Sequence, residues 1–330
     1  MPEPVNPQTR PAQGQEHPAA RAWRELRPER DAPAGIETLH GGQTKAWKRT
    51  VYRLAGVGPA GSAVIAKRCA AAQAVPERIL YEEVLPRLPV SVLRYHGFVA
   101  EPDGGFCWLF LEDAGGEGYA PHSAAHRALA GRWLGLLHAS AAGLAAAARL
   151  PDRGPAHYRG HLEAGRAAIL LHLARPSVRA DDRAALCSLA ARLDLLAARW
   201  GEVEQFCDGL PRTLVHGDFT RKNLRVRTGG GGLTLLPFDW GETAGWAVPA
   251  ADLGSPARPD LDAYGSVLRD HGAGPQDLRR LASVGKVFRY LAAIDWAARG
   301  LPRERPEESL TRLRIYEARL AGLGGREEHG

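Results

Sequence analysis

The sequence feature that most constrains the fold is a change of apolar pattern near Pro121. Between Gly35 and Glu112 the apolar residues form short β-branched or aromatic runs separated by glycines: TVYRLAG, SAVIAKRC and CWLFLE. Such runs are typical of β-strands, and one helical segment, PERILYEEVLPRL, interrupts them. After Pro121 the long segments, including RALAGRWLGLLHASAAGLA and RAALCSLAARLDLLAARW, have helical periodicity. The sequence therefore predicts an α+β fold with a small β-rich part followed by a larger, mainly helical part.

Short strand-like runs return once inside the helical part. The pieces TLVHGD, LRV and LTLLPFDW are β-like, and TGGGG between the last two suits a hairpin turn. The first 33 residues are instead rich in Pro, Gln, Glu and Arg, which predicts a poorly ordered tail. The expected organisation is this tail over 1–33, an N-terminal lobe over 34–113, a helical C-terminal lobe over 114–322 and a frayed end over 323–330.

Composition narrows the class of partner. The formal net charge is +6, but the arginines are scattered singly and no run of five basic residues occurs, so we expect no nucleic-acid partner. No uncharged apolar run approaches the roughly 18 residues of a membrane span, and the N-terminus has no apolar signal segment. These patterns predict a cytoplasmic protein that does not bind a membrane.

The residues that indicate chemistry lie in LVHGDFTRKNLRV, residues 214–226. Asparagine occurs only twice in the chain, at Asn6 and Asn223. Asn223 completes the spacing H-x-D-x4-N with His216 and Asp218, which the catalytic loop of a phosphoryl-transfer enzyme requires. Roughly 0.004 such matches are expected by chance in this composition. We therefore expect Asp218 to accept the proton of a substrate hydroxyl and Asn223 to offer a carbonyl oxygen to Mg²⁺.

A third polar residue follows in the hairpin. Asp239 ends the apolar strand LLPFD, and the turn through 229–232 is expected to bring its carboxylate beside Asn223 as a second ligand for Mg²⁺, which bridges phosphate oxygens. A structural interpretation stays open, because Asp218 and Asn223 are also good turn residues. We expect His216 to orient the loop rather than to take part in the chemistry.

The same residues carry a family resemblance. LVHGDFTRKN followed by PFDWGETAGWAVPAADL resembles the aminoglycoside phosphotransferase family of small-molecule kinases, and a weaker resemblance extends over 36–320. The resemblance implies a protein-kinase-like, two-lobed fold with a small β-rich N-lobe and a larger, mainly helical C-lobe. In that fold Asp218 is implied to be the catalytic base, and Asn223 and Asp239 are implied to hold magnesium. The family's tail is matched by Trp240, Gly245 and Asp252, the last with an implied structural role.

The resemblance also implies roles for residues of the first lobe. AVIAKR resembles the strand whose lysine pairs with the α- and β-phosphates of the nucleotide, which implies this role for Lys67. A lysine is informative here because the chain otherwise uses arginine. ERILYEEVL resembles the helix whose glutamate pairs with that lysine. Glu77 fits the E-x-x-x-Y pattern best, and Glu82 and Glu83 are alternatives.

Two further nucleotide contacts are implied. LFLEDAGG resembles the hinge strand, so backbone groups from Glu112 to Ala114 are implied to meet the adenine edge. LHGGQTKAWKRTVYRL lies where a phosphate-covering loop belongs, and Gly41 and Gly42 would permit close approach of the backbone to phosphate. This loop departs from the G-x-G-x-x-G pattern.

The resulting hypothesis is a kinase that uses ATP or GTP with Mg²⁺ and phosphorylates a hydroxyl group of a small molecule. Protein substrates are not expected, because only twelve residues separate Asp239 from Asp252, too few for the activation segment of a protein kinase. The acceptor stays open. Between His122 and Leu210 eleven arginines outnumber eight acidic residues, which disfavours a polycationic aminoglycoside. The candidate acceptor-site acids are Glu242, Asp262 and Asp295.

Two other functions remain as alternatives. The first is a non-catalytic nucleotide-binding scaffold of the same fold, against which the full set of charged and metal-binding residues argues. The second is a metal-dependent hydrolase that uses His216 and Asp218 as metal ligands. HYRGH also places His157 and His161 at the i, i+4 spacing of a zinc site on a helix, but we interpret this pair as surface or core histidines. We expect Gly160 and Pro155 to weaken a helix there. The sequence does not indicate an oligomeric state.

Overall fold

The computed structural model of the protein describes residues 16–41, 49–144, 149–176, 178–271, 277–302 and 307–324. These residues fall into two compact units. The N-terminal unit takes the described residues of Met1–Glu82 and Val92–Gly115, and the C-terminal unit takes those of Glu83–Ser91 and Gly116–Gly330. Residues 83–91, which the sequence analysis assigned to the first lobe, therefore pack with the C-terminal unit.

The N-terminal unit is built on an antiparallel sheet with strand order β1-β2-β3-β5-β4. Its strands are β1 (Gly35–His40), β2 (Arg49–Ala55), β3 (Val64–Ala70), β4 (Tyr95–Ala100) and β5 (Phe106–Glu112). Alternate side chains of a strand point to opposite faces, and Val64, Ala66, Trp108 and Phe110 on the two central strands are buried in one apolar core. The β-rich N-terminal region predicted from the sequence is confirmed.

A helix packs onto this core from within the tail that the sequence analysis expected to be poorly ordered. Helix α1 (Pro18–Leu26) places Ala19 and Trp23 in the core cluster, and Trp23 is only 2% exposed. His17 caps the helix, because its Nδ1 accepts the Ala19 N–H at 3.2 Å. The helix was not predicted because the average composition of residues 1–33 is polar, and its few apolar residues do not stand out in that average. Residues 1–15 of the predicted tail lie outside the described residues.

The helical segment predicted at 76–88 is displaced toward the N-terminus. Helix α2 spans Ala71–Ile79. A π-helical turn (Leu80–Val84) and a 3₁₀ turn (Leu85–Arg87) follow it. Pro76 thus lies inside the helix and not in its first turn. Its missing N–H removes one backbone hydrogen bond from the second half of α2.

The C-terminal unit is mainly helical. Its helices are α3 (Ala124–Ala141), α4 (Pro155–Leu173), α5 (Ala180–Ala198), α6 (Trp200–Asp208), α7 (Ala250–Leu253), α8 (Leu261–Asp270), α9 (Leu278–Ala298) and α10 (Glu307–Gly324). One small sheet has the order β6-β8-β9, with β6 (Glu117–Gly118), β8 (Leu224–Gly229) and β9 (Gly232–Pro237), and a second pairs β7 (Thr213–Val215) with β10 (Gly245–Ala247). The predicted fold class is confirmed. Within the described part of the chain, no helix is long and apolar enough to cross a membrane.

Helix α4 corrects the expectation that Pro155 and Gly160 would weaken a helix. Pro155 occupies the first helical position, where an N–H would have no partner in the helix, so its absence costs little. The helix continues through Gly160, although glycine in a helix interior costs about 0.5–1 kcal/mol relative to alanine. Packing against α9 offsets this cost, because Tyr158 stacks on Phe288 with ring centroids 4.1 Å apart.

An aromatic cluster supports the segment that joins β7 to β8. Trp133 of α3 lies 5.9 Å from Phe219 and 6.1 Å from Trp240 between ring centroids. The imidazole of His216 lies 4.5 Å from the Trp240 ring. Phe219 and Trp240 are completely buried. Residues 216–223, which contain the predicted catalytic residues, are therefore anchored on the core of the C-terminal unit.

Candidate active site

The end of β7 turns sharply at Gly217. Its φ of +74° lies in the left-handed region, and a Cβ at this position would lie 2.3 Å from the carbonyl oxygen of Thr243. Only glycine avoids both the backbone strain and the clash. The turn delivers Asp218 immediately after the buried strand, with its side chain 11% exposed.

A buried carboxylate holds the backbone of this turn. Asp252 accepts the N–H of His216 at 2.7 Å and the N–H of Gly217 at 2.8 Å, one on each oxygen. His138 Nε2 lies 3.3 Å from Asp252 Oδ2. Burial raises the pKa of Asp252, but the His138 hydrogen bond and charge, with His216, outweigh it and leave the pKa below its ordinary value. Asp252 thus fixes the loop rather than facing a substrate.

His216 connects the same turn to the end of β9. Its Nδ1 accepts the N–H of Asp218 at 3.3 Å, and its Nε2 donates to the carbonyl oxygen of Phe238 at 3.1 Å. The ring is completely buried. This arrangement suits the orienting role expected of His216, since both ring nitrogens contact backbone groups.

The carboxylate of Asp218 is the centre of a polar cluster. Asn223 Nδ2 donates to Asp218 Oδ2 at 2.9 Å and to the Asp218 carbonyl oxygen at 3.0 Å. Two cations also contact the carboxylate: Lys222 Nζ lies 2.9 Å from Oδ2 and Arg289 Nη1 lies 2.9 Å from Oδ1. The lysine is 66% exposed whereas the arginine is only 20% exposed. The structure therefore brings Asp218 and Asn223 into direct contact, as the H-x-D-x4-N spacing requires.

The hairpin brings Asp239 to the same side of the unit as Asn223. Leu224 pairs with Pro237 across β8 and β9, and the Phe238 N–H donates to the Asn223 carbonyl oxygen at 3.0 Å. Asp239 follows directly with φ +67°, a conformation that costs a non-glycine residue energy and is concentrated at functional sites.

The donor set at this point fits Mg²⁺. Because Asn223 Nδ2 is engaged with Asp218, the amide oxygen is the atom left to face a cation. The charged donor of the set is the carboxylate of Asp239, the residue that follows Phe238. Neutral and anionic hard oxygens are the ligands that Mg²⁺ prefers. Among the described residues, no group of three or more His, Cys, Asp and Glu is arranged to hold a metal ion. That finding includes His157 and His161, so the zinc-hydrolase arrangement is not formed there.

In the N-terminal unit, Lys67 and Glu77 form a buried ion pair. Lys67 lies in β3, between Val51 of β2 and Leu109 of β5, and Glu77 lies in α2. Lys67 Nζ is 2.5 Å from Glu77 Oε2, and their side chains are 9% and 0% exposed. The alternatives to Glu77 make other contacts: Glu82 binds Arg78 and Tyr95, and Glu83 binds Arg149.

The other predicted nucleotide contacts are only partly described. Glu112 ends β5, where its N–H donates to the carbonyl oxygen of Arg94 at 2.8 Å, so this group is already used within the unit. Ala114 is buried. Gly41 follows β1 with φ +95°, a backbone shape that glycine favours, whereas Gly42 lies outside the described residues.

A cavity of about 170 Å³ opens beside Gly217 in the C-terminal unit. Its charged and titratable walls include Arg153, His157 and His161 from the α4 side, and Arg289 and Arg299 from the α9 side. Burial, then the charges of Arg153 and His161, lower the pKa of His157 to about 4. Since Arg289 also contacts Asp218, the cavity lies next to the predicted base.

A sequence model of the phosphotransferase enzyme family, abbreviated APH, matches residues 45–283 of the chain, which is well over half its length. The chain belongs to this family. The predicted family resemblance and the prediction of a phosphotransferase enzyme are thereby confirmed. None of the curated protein sequences is significantly similar to the chain.

Solved structures share the fold of this phosphotransferase. A macrolide 2'-phosphotransferase from Brachybacterium faecium has 18% identity and a TM-score of 0.59, with 89% of this chain and 97% of that chain covered. A choline kinase from Cryptosporidium parvum has 11% identity and a TM-score of 0.57, with coverages of 88% and 89%. A spectinomycin phosphotransferase in complex with ADP and spectinomycin has 11% identity and a TM-score of 0.56, with coverages of 94% and 99%.

Three cations of the candidate site, Lys222, Arg153 and Arg289, were not predicted from the sequence. Lys222 is one of the few lysines in an arginine-rich chain, and that rarity, with its i, i+4 spacing from Asp218, was a usable signal. Arg153 and Arg289 carried no such signal, because arginine is abundant and both residues are distant from Asp218 in sequence. Asp295, a candidate acceptor-site acid, is instead buried and paired with His161 at 2.7 Å and with Arg299 at 2.5 Å.

Proposed function

We propose that this family member transfers the γ-phosphoryl group of ATP or GTP to a hydroxyl group of a small molecule. The observation that carries the proposal is the contact between Asp218 and Asn223, on a loop whose backbone is fixed by buried Asp252. Membership of a phosphotransferase family supports the reaction type.

In the proposed reaction Asp218 accepts the proton of the acceptor hydroxyl as its oxygen bonds to phosphorus and the nucleoside diphosphate leaves. Both carboxylate oxygens already receive hydrogen bonds or ion pairs. Oδ2 receives two of these donors and Oδ1 receives only Arg289, so an acceptor hydroxyl can bond to Oδ1 or displace Lys222, the most exposed of the three donors. Asn223 and Arg289 then hold the carboxylate in position.

Asn223 and Asp239 would hold Mg²⁺. When bound, the ion neutralises charge on the phosphate oxygens. The hydrogen bond from Asn223 Nδ2 to Asp218 means that one side chain both orients the base and offers its oxygen to the metal. Loss of Asn223 is therefore expected to impair both functions.

For the nucleotide, we propose that Lys67 binds the α- and β-phosphates and that Glu77 orients the lysine. The 2.5 Å pair supports this role, because the Glu77 carboxylate holds the ammonium group of a buried lysine in a defined position. The solved structure of spectinomycin phosphotransferase contains ADP, which supports nucleotide use. Glu112 and Ala114 remain the proposed adenine contacts, and Gly41 and Gly42 the proposed phosphate contacts.

A label-transfer experiment tests the proposed function. The protein is incubated with ATP or GTP labelled at the γ-phosphate, with Mg²⁺ and with a panel of small hydroxyl compounds. We expect label to appear on one class of acceptor and to require Mg²⁺. Nucleotide binding without transfer to any acceptor would favour the scaffold alternative, and hydrolysis without nucleotide would favour the hydrolase.

A further inference from the structure

The cavity beside Gly217 is rich in positive charge. Three arginines line it, and among the residues that the structure describes Glu242 is the single acidic residue of its wall. Two of the three arginines are balanced by carboxylates: Arg289 by Asp218 and Arg299 by buried Asp295. The remaining arginine of the wall is Arg153.

Arg153 makes no ion pair with a carboxylate of the described residues. Its Nη2 donates to the backbone carbonyl oxygen of Glu242 at 2.7 Å, and its Nη1 lies 3.4 Å from His157 Nδ1. Its Nε is buried without a hydrogen-bond partner. Burial lowers the pKa of Arg153. A half-buried cation without a counter-charge is costly, and a bound anion would remove that cost.

Arg289, on the same cavity wall, supplies a second hydrogen-bond donor without a partner. Its Nη1 contacts Asp218 and the Gly217 carbonyl oxygen, while its Nε is buried without a partner. Arginine binds carboxylates and phosphates through planar, paired hydrogen bonds. Two guanidinium groups with unsatisfied donors on one cavity therefore favour an anionic ligand.

We propose that the hydroxyl acceptor of this kinase carries a carboxylate or phosphate group, and that Arg153 binds this anion in the cavity beside Asp218. The inference rests on the proposed function and adds the substrate class. Arg153 is then a specificity-determining residue and Arg289 a positioning residue, since the latter joins the cavity wall to the base. A polycationic acceptor is disfavoured because it would bring its charge against Arg153.

The volume of the cavity limits the size of the acceptor. Its volume of about 170 Å³ is smaller than the roughly 300–1,000 Å³ of sites for drug-sized ligands. Trp296 also lines it and is 47% exposed, which offers an apolar ring face to a short carbon skeleton. A compact hydroxylated anion suits these walls better than an oligosaccharide.

The experiment measures binding of four probes that share a three-carbon skeleton with hydroxyl groups: glycerol, glycerate, glycerol 3-phosphate and 3-amino-1,2-propanediol. The full chain is saturated with Mg²⁺ and a non-hydrolysable ATP analogue, so that the nucleotide's own phosphate site is occupied. At least one of the two anions is expected to bind about tenfold or more tightly than glycerol, and the amine more weakly than glycerol. Glycerate against glycerol 3-phosphate distinguishes carboxylate from phosphate.

Variants assign the preference to Arg153. Arg153→Ala is expected to abolish the preference for anions, and Arg153→Lys to retain part of it. Arg159→Ala is the matched control, because Arg159 lies in α4, the helix that begins two residues after Arg153, is 52% exposed and pairs with Glu163. This variant is expected to bind all four probes like the wild type. Circular dichroism and the affinity for the ATP analogue show whether each variant is folded.

Three results would overturn the inference. The wild type could bind both anions no more tightly than glycerol, or Arg153→Ala could keep the preference for anions. The third is that Arg153→Ala loses affinity for the ATP analogue and for none of the four probes. The wild-type comparison decides the matter even if Arg153→Ala does not fold. Failure of the proposed function has a different signature, which is absence of nucleotide binding or of labelled product. The two failures are therefore distinguishable.

Discussion

At the scale of single residues, the site depends on one buried carboxylate that substrates do not reach. Asp252 supplies acceptors to two consecutive N–H groups and contacts His138. Because Asp218, the proposed base, follows those N–H groups directly, its position depends on the charge and geometry of Asp252.

Asp252→Asn is expected to lower the free energy of unfolding by about 1–3 kcal/mol at pH 7, because the amide can accept only one of the two N–H groups with its oxygen. The folded-state pKa of Asp252 lies below the ordinary value of 3.8. Ionised Asp252 therefore contributes to the free energy of unfolding above pH 3.8, and this contribution is lost as the pH falls through the lower folded-state pKa. Urea unfolding at pH 7 and in this acid range measures both effects.

The control for this prediction is Asp208→Asn, at an exposed aspartate. Its stability is expected to follow that of the wild type at every pH. If Asp252→Asn and Asp208→Asn lose stability equally, Asp252 does not hold the loop.

Residues close together in sequence were the predictable part of the site. His216, Asp218 and Asn223 lie within one loop, so their spacing alone indicated their proximity. Asp252 was marked by the family resemblance. Arg153 and Arg289 come from distant parts of the chain, and local patterns contain no information on which of many arginines the fold brings to Asp218, as it does Arg289, or to the cavity beside it, as it does Arg153.

At the scale of elements, packing decides where glycine is required. Gly160 of α4 has open space where a Cβ would be, whereas a Cβ on Gly285 of α9 would lie 1.7 Å from the carbonyl oxygen of Ala250 in α7. The sequence analysis treated Gly160 as a helix breaker, because propensity is visible in the sequence and interhelical distance is not.

Gly160→Ala is expected to raise the free energy of unfolding by about 0.5–1 kcal/mol through better helix propensity. Gly285→Ala is expected to lower the free energy of unfolding by about 1–3 kcal/mol or more, because the rigid backbone of α7 must move away from the new Cβ. Chemical denaturation of the two variants compares the same substitution in two helices. Equal shifts of the same sign would contradict the described packing of α7 against α9.

At the scale of the whole molecule, the order of strands and helices was predictable and the unit boundaries were not. β-branched runs and helical periodicity indicated both regions, because each pattern buries one face of its element. Helix α1 was missed because a single tryptophan and three alanines provide its buried face within a segment whose average composition is polar. Residues 83–91 pack with the second unit although they are continuous with α2.

Binding of nucleotide with Mg²⁺ is expected to stabilise the protein by about 2.7 kcal/mol at a concentration one hundred times the Kd. Lys67→Arg is expected to lose most of this gain, since a guanidinium does not fit a site built around a compact ammonium group. Thermal unfolding with and without nucleotide and Mg²⁺ measures this stabilisation in the wild type and in the variant. Lys286→Arg, at an exposed lysine of α9, is the matched control and should retain the full gain; equal gains in both variants would exclude Lys67 from the nucleotide site.

The most direct test of the role of Asp218 is the turnover rate of Asp218→Asn with the acceptor identified by label transfer. If Asp218 is the base, kcat falls by about 100- to 10,000-fold, the contribution of a general base, and the nucleotide Kd stays close to that of the wild type. Asp208→Asn should retain wild-type kcat. A kcat for Asp218→Asn within threefold of wild type would show that the carboxylate at the centre of the polar cluster is not the base.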